Sequence, residues 1–195
     1  MPMGKIIILV VTAYLLGSLP TGVWLSRRFW NRDIRDLGDG NMGARNVTHV
    51  LGWKAGILVG LADFAKGALA VIIAKKMGIS PVNQLLAGTT AVIGHDFPAF
   101  AGFRGGQGMA TSLGSMSALF TIETLTGLEI FGLLYLITRH FDLSASAGLG
   151  ILAWLVWRSG RPTIFVLYIV LLFISIPLKK LLDFRLRNPK QVQIH

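Results

Sequence analysis

Residues 55–77 read AGILVGLADFAKGALAVIIAKKM, an apolar run broken only by Asp63 and Lys66 before its two closing lysines. About 20 such residues cross roughly 30 Å of hydrocarbon, so the stretch predicts a membrane-spanning helix and sets the class of the chain. Working outward, similar runs cover Lys5 to Leu25, Asn83 to Ala101, Met109 to Ile122, Leu125 to Thr138, Leu143 to Trp157 and Thr163 to Leu178. The expectation is an all-α integral membrane protein with about seven transmembrane helices. The fourth to sixth segments hold only about 14 or 15 residues each, short for a crossing, so a five-span layout also fits.

Composition agrees. Of 195 residues, 53% are hydrophobic and 14% charged, against roughly a quarter charged in soluble domains. Mean hydropathy is +0.62. The absence of cysteine excludes disulfides, Cys-ligated metals and a Cys nucleophile. Nineteen Lys and Arg face nine Asp and Glu, with a pI near 10.6. A nucleic-acid partner would need that charge on one water-exposed face, whereas here it lies between apolar segments. Lys5 to Leu25 has one basic residue ahead of it and no small-residue cleavage pattern behind, which reads as a retained helix rather than a signal peptide. Without repeats or low-complexity runs, residues 1–195 read as a single polytopic membrane domain.

Basic connections stay on the cytoplasmic side. Seven crossings gather Arg27, Arg28, Arg32, Arg35, Arg45, Lys54, Arg104, Arg139, Lys179, Lys180, Arg185, Arg187 and Lys190 on one side, thirteen of the 19. Lys5, Lys75, Lys76, Arg158 and Arg161 fall on the other. The bias predicts the N-terminus outside and the C-terminus in the cytoplasm, with two glycine-rich stretches on one cytoplasmic face.

The first, Gly38-Asp39-Gly40-Asn41-Met42-Gly43-Ala44-Arg45-Asn46, lets successive backbone N–H groups turn toward one anion, and a helix starting near Gly43 would add its N-terminal dipole. A flexible turn between helices is the competing reading. The second runs from Gly94-His95-Asp96-Phe97-Pro98 through Gly102-Phe103-Arg104-Gly105-Gly106-Gln107-Gly108 to Thr111. A proline inside a span frees backbone groups that protein or water must satisfy, so this segment borders a polar cavity. His95 is open to three readings: a base, a phosphate donor, or a polar residue tied to Asp96 or a carbonyl. Asp63 and Lys66 share a helical face, and an internal structural pair is favoured over a proton relay. The five tryptophans sit near segment ends as interfacial anchors. His140 and Asp142 read as a solvated turn.

These residues also resemble the bacterial acyl-phosphate:glycerol-3-phosphate acyltransferases (PlsY). Tyr14 to Gly22 resembles the family's first helix, Gly38 to Asn46 its G-S-G-N-x-G-A-T-N, Asp63 to Gly67 its D-x-x-K-G, and Gly94 to Thr111 its G-H-x-F-P-x-F-x-x-F-x-G-G-K-G-x-A-T. Asp33 and Arg35 precede the first loop as in the family. The resemblance implies a seven-helix bacterial membrane enzyme without metal or cofactor that moves a fatty acyl group from acyl phosphate to glycerol 3-phosphate. It implies catalytic roles for Asn41, Arg45 and His95. Substrate contacts would come from Gly38, Asp39, Gly40, Gly43, Asn46, His49, Arg104, Gly105, Gly106, Gln107, Gly108, Thr111 and Ser144. The implied partners are the two phosphorylated substrates and membrane lipid.

The sequence departs from the pattern at Asp39 for serine, Arg45 for threonine, His49 for arginine and Gln107 for lysine, and the tail Asp183 to Pro189 matches poorly. Asp39 opposes a phosphate unless protonated or turned toward Arg45. Arg45 and His49 share a helical face, which moves positive charge back by one turn. An alternative expectation is therefore a member that binds acyl phosphate or anionic lipid without turnover.

Overall fold

The computed structural model describes residues 3–186. Arg187, Asn188, Pro189 and Lys190 of the basic tail lie outside the described residues. Nine α-helices carry the described chain: α1 (Met3–Gly17), α2 (Thr21–Trp30), α3 (Ala44–Leu51), α4 (Trp53–Lys76), α5 (Pro81–Asp96), α6 (Met109–Leu119), α7 (Thr121–Thr138), α8 (Phe141–Arg158) and α9 (Thr163–Leu186). All seven expected segments are helical, so the all-α membrane class holds. Four stretches, Met3–Trp30, Trp53–Lys76, Thr121–Thr138 and Thr163–Phe184, are long and apolar enough to cross a bilayer, and Leu143–Arg158 is a shorter apolar helix.

Three boundaries differ from expectation. The first segment is two helices, because Pro20 has no N–H to donate and the chain leaves helical geometry between Gly17 and Thr21. The third segment ends at Asp96, ahead of Pro98, and Ala99–Ala101 forms a separate 3-10 turn. The last helix continues to Leu186 with Pro177 inside it, so Lys179, Lys180 and Asp183 belong to α9 rather than to a tail. Asp142 lies in the first turn of α8, not in a loop.

Small residues set the spacing between helices, as expected where apolar lipid offers helices no hydrophobic drive to associate. Between α4 and α6, a Cβ on Gly67 would stand 1.9 Å from the Thr111 carbonyl oxygen, and one on Gly114 1.9 Å from that of Phe64. Gly17 and Gly94 allow the same approach of α1 to α5, while Gly127 and Gly148 do so within the α7–α8 hairpin. A core of Phe120, Leu152, Phe165 and Ile169 joins α6, α8 and α9, and a second core of Val23, Ile34, Met42, Val47 and Val59 seats the first loop on α2 and α4. The carbonyls ending α6 are met by cations: Lys75 donates to Ala118 O and Arg161 to Leu119 O at 3.2 Å. Arg161 also pairs with Glu123 at 3.0 Å and lies 5.1 Å from the Phe120 ring.

Candidate functional site

The first glycine-rich loop is built around Asn46. Its side-chain amide donates to Ile34 O, Leu37 O and Asn41 O at 3.3, 3.0 and 2.8 Å, and its Oδ1 accepts Asp39 N–H at 3.0 Å. Asn46 is buried, and its donors and acceptor serve the loop backbone, so its part is to shape the loop. Asn41, also buried, accepts Gly43 N–H at 2.7 Å. Gly38 has φ +59°, and a Cβ there would stand 2.2 Å from the Asn46 Oδ1. The turn thus needs a residue without a side chain.

Asp39 finds a partner other than Arg45. Its Oδ1 accepts Asn41 N–H at 2.9 Å, an acceptor's task that a serine oxygen can also perform, and among the described residues it forms no ion pair. The departure therefore preserves the turn while leaving a carboxylate at an exposed position of the loop. Arg45 and His49 stand on the exposed face of α3, one turn apart as expected. Helix α3 opens with no side-chain cap; Val47 N–H closes on Gly43 O, so the N–H groups of the first turn have no intrahelical acceptor.

The second loop wraps His95. Gly106 N–H donates to His95 O at 3.1 Å, and a Cβ on Gly106 would stand 2.1 Å from His95 Nε2. Gly105 packs as closely on the His95 carbonyl. The loop ends at Gly108, in the left-handed region at φ +69°, and α6 starts without a side-chain cap. Its first-turn N–H groups face the loop with a favourable dipole for an anion. Thr111 is fully buried with an unpartnered hydroxyl, Gln107 is half-buried, and Arg104 is exposed.

Between the loops lies a buried polar cluster. Lys66 Nζ donates to Asp63 Oδ1 at 2.6 Å, to Leu19 O at 2.5 Å and to Thr21 Oγ1 at 3.2 Å, and Thr21 Oγ1 donates to Asp63 at 2.8 Å. His95 Nδ1 lies 3.6 Å from the same carboxylate oxygen without a hydrogen bond. The expected Asp63–Lys66 pair is present, and it extends through Thr21 to the break between α1 and α2 and, by proximity, to His95. Breaking such a buried pair typically costs about 3–5 kcal/mol. Leu19 and Thr21 were missed by reading the first segment as one helix; Pro20 was the available signal.

Arg35 ties the loops together. Its guanidinium grips Asp33 at 2.8 and 3.0 Å while Nη1 donates to Ala101 O at 2.6 Å. Asp33 also accepts Arg35 N–H and the exposed Arg27. Beside the Arg35 guanidinium its carboxyl is held far below the usual carboxylate range, and Arg35 in turn is held above its own. Ser144 stands apart: its hydroxyl donates to His140 O at 2.9 Å in the α7–α8 turn and makes no hydrogen bond to either loop.

Two uncapped helix N-termini, each preceded by a glycine-rich loop and joined by Arg35, suit phosphate groups. Similarity to known proteins agrees. The family model described as glycerol-3-phosphate acyltransferase matches residues 7–182. A glycerol-3-phosphate acyltransferase of Enterococcus faecalis is 43% identical over 141 residues, 72% of this chain and 65% of that protein; one of Listeria monocytogenes is 39% identical over 146 residues, 74% of each. For the Streptococcus mutans relative, 48% identical over 110 residues, the match spans 56% of this chain and about half (52%) of that protein. The crystal structure of PlsY (YgiH), an integral membrane glycerol 3-phosphate acyltransferase, in its glycerol 3-phosphate form has a TM-score of 0.80 at 31% identity, covering 93% of this chain and 90% of that one. Its lysophosphatidic acid form gives 0.77 at 31% identity, covering 90% and 87%. Both the ordered motifs and the fold that carries them place this multi-pass membrane protein in the glycerol-3-phosphate acyltransferase family.

Proposed function

We propose that the chain transfers a fatty acyl group from acyl phosphate to the 1-hydroxyl of glycerol 3-phosphate. The hydroxyl oxygen forms a bond to the acyl carbon, the carbonyl-to-phosphate C–O bond breaks, and lysophosphatidate and inorganic phosphate leave. The observation that carries this reading is the pair of uncapped helix N-termini, α3 and α6, each following a glycine-rich loop, with Arg35 tying the two loop segments together. Each reactant bears a phosphate, so two anion sites are what the reaction requires.

In this reading Asn41, Arg45 and His95 act at the reacting groups, with donors of both loops stabilising charge on the carbonyl oxygen. The hydroxyl proton passes to the substrate's own phosphate. Gly38, Gly40 and Gly43 line one phosphate, and Arg104, Gly105, Gly106, Gln107, Gly108 and Thr111 the other, with His49 and Ser144 at the periphery. The chain forms one membrane domain of seven crossings, N-terminus outside and C-terminus cytoplasmic. The Asp39 carboxylate favours a second reading, binding without turnover. Purified protein given acyl phosphate and labelled glycerol 3-phosphate decides: labelled lysophosphatidate supports transfer, and binding of acyl phosphate with no product above the protein-free control rejects it.

A further inference from the structure

A buried charge cluster lies where α9 passes the end of α5. Lys179 is 4% exposed and donates to Asp183 one turn along, and its ammonium sits 5.1 Å from the Phe97 ring centre. Asp96 is 5% exposed with no hydrogen-bond partner at Oδ1. A Cβ on Gly108 would stand 2.9 Å from that oxygen, so the carboxylate abuts the residue that opens α6. Asp96, Phe97 and Lys179 line a groove of about 280 Å³ between α5 and α9, together with Thr89, Ser175 and mainly apolar groups such as Val92 and Leu171. The second loop has no buried cation of its own, since Arg104 is exposed and position 107 is glutamine.

A lone ammonium among membrane helices is costly, which accounts for the Asp183 carboxylate beside it. An ammonium carries three N–H donors, and Asp183 takes one. We propose that Lys179 is the buried cation of the phosphate site, brought by α9 to a loop whose own side chains supply none, with Asp183 holding it there and moderating its charge. This rests on the acyl-phosphate reading above. The competing account is a tether, in which the ion pair only fastens the end of α9.

The two accounts predict opposite signs. Kinetics on the purified full chain, with acyl phosphate as substrate and inorganic phosphate as competing probe, separate them. Lys179→Met should raise the acyl-phosphate KM and the phosphate inhibition constant about tenfold, the scale of one charge-assisted contact, with kcat less affected. Asp183→Asn should lower both constants severalfold by removing a competing anion. Gln107→Lys added to Lys179→Met should restore both. A tether predicts weakening from both single changes and no rescue by Gln107→Lys, and that pattern overturns the proposal. If Lys179→Met does not fold, Asp183→Asn, which keeps an acceptor for the lysine, carries the sign test alone. Turnover with an inhibition constant unmoved by Lys179→Met sinks only this proposal. No turnover in the unaltered chain, with phosphate raising its thermal stability through Lys179, sinks the reaction and leaves the cation site standing.

Discussion

Arg35→Lys is the sharpest probe of the site's construction, because it keeps the charge and removes the shape. The guanidinium serves two masters at once: Nε and Nη2 hold Asp33 at 3.0 and 2.8 Å, and Nη1 holds Ala101 O at 2.6 Å. A lysine ammonium is a point charge on a flexible stem and cannot reproduce that planar fork. It can stay with the carboxylate, leaving the carbonyl of Ala101, a residue 7% exposed, without its donor. A hydrogen bond to a charged group is worth about 1.5–3 kcal/mol, and each 1.4 kcal/mol is a factor of ten. Where that loss lets the two loops drift out of register, the aligned arrangement is populated less by the same factor, and kcat/KM falls about ten- to 150-fold. Steady-state rates with each substrate varied in turn give the number, and thermal unfolding in detergent checks that the fold survives. Arg27→Lys serves as the control: it touches the same Asp33 from a side chain 60% exposed, and such pairs contribute at most about 1 kcal/mol. Wild-type kcat/KM in Arg35→Lys, or equal losses in the two variants, would refute the view that Arg35 registers one loop against the other.

Asn46→Leu keeps the branching and heavy-atom count but strips three backbone carbonyls and one N–H of their partner; with buried unsatisfied groups costing about 1–3 kcal/mol each, the loop loses its shape, read as a lower melting temperature together with lost turnover. Asp39→Ser with Gln107→Lys retains the acceptor for Asn41 N–H and adds charge at the second loop, so acyl-phosphate turnover should rise severalfold; a fall would show that the account of these departures is wrong. For pH, the Asp33 carboxyl is depressed in the folded chain, so its stabilising contribution is complete above the unfolded value near 4 and is lost as pH falls below it. The stability gap between wild type and Arg35→Met, followed by thermal unfolding from pH 7 to pH 3, should therefore narrow toward acid, and a gap that stays constant would contradict the pairing.

Much of this was legible in the chain because lipid imposes a simple rule on helices. Hydropathy located α4, α7 and α8 to within about four residues. It passed over the gap between α1 and α2, since Ser18, Leu19 and Pro20 barely lower a window average although one missing N–H is enough to open the helix there. It also ended the last segment at Leu178 and left Lys179 among the cytoplasmic tail residues. The contrary signal was Asp183 four residues on, a spacing that lets a lysine stay inside a helix bundle. In the first loop the residue types pointed to anion chemistry, but not to a division of labour: Asn46 and Asp39 looked like ligands, and the structure commits Asn46 wholly and one oxygen of Asp39 to the turn. Side-chain amides and carboxylates serve either use, and only the fold decides between them.

The shortness of α6 has one further consequence. Its Thr111 meets α4 at Gly67, fourteen residues and so about 21 Å along that helix from Trp53. The place where the reactants would meet is thus sunk well below the end of α4. A long-chain reactant can arrive sideways without leaving the oily phase, whereas a small, doubly charged alcohol has to descend from the aqueous phase. Water, the rival nucleophile for an activated acyl group, faces the same descent without a phosphate for the two helix ends to receive in the proposed reaction. The depth of a short helix would then act as a filter on which oxygen reaches the carbonyl.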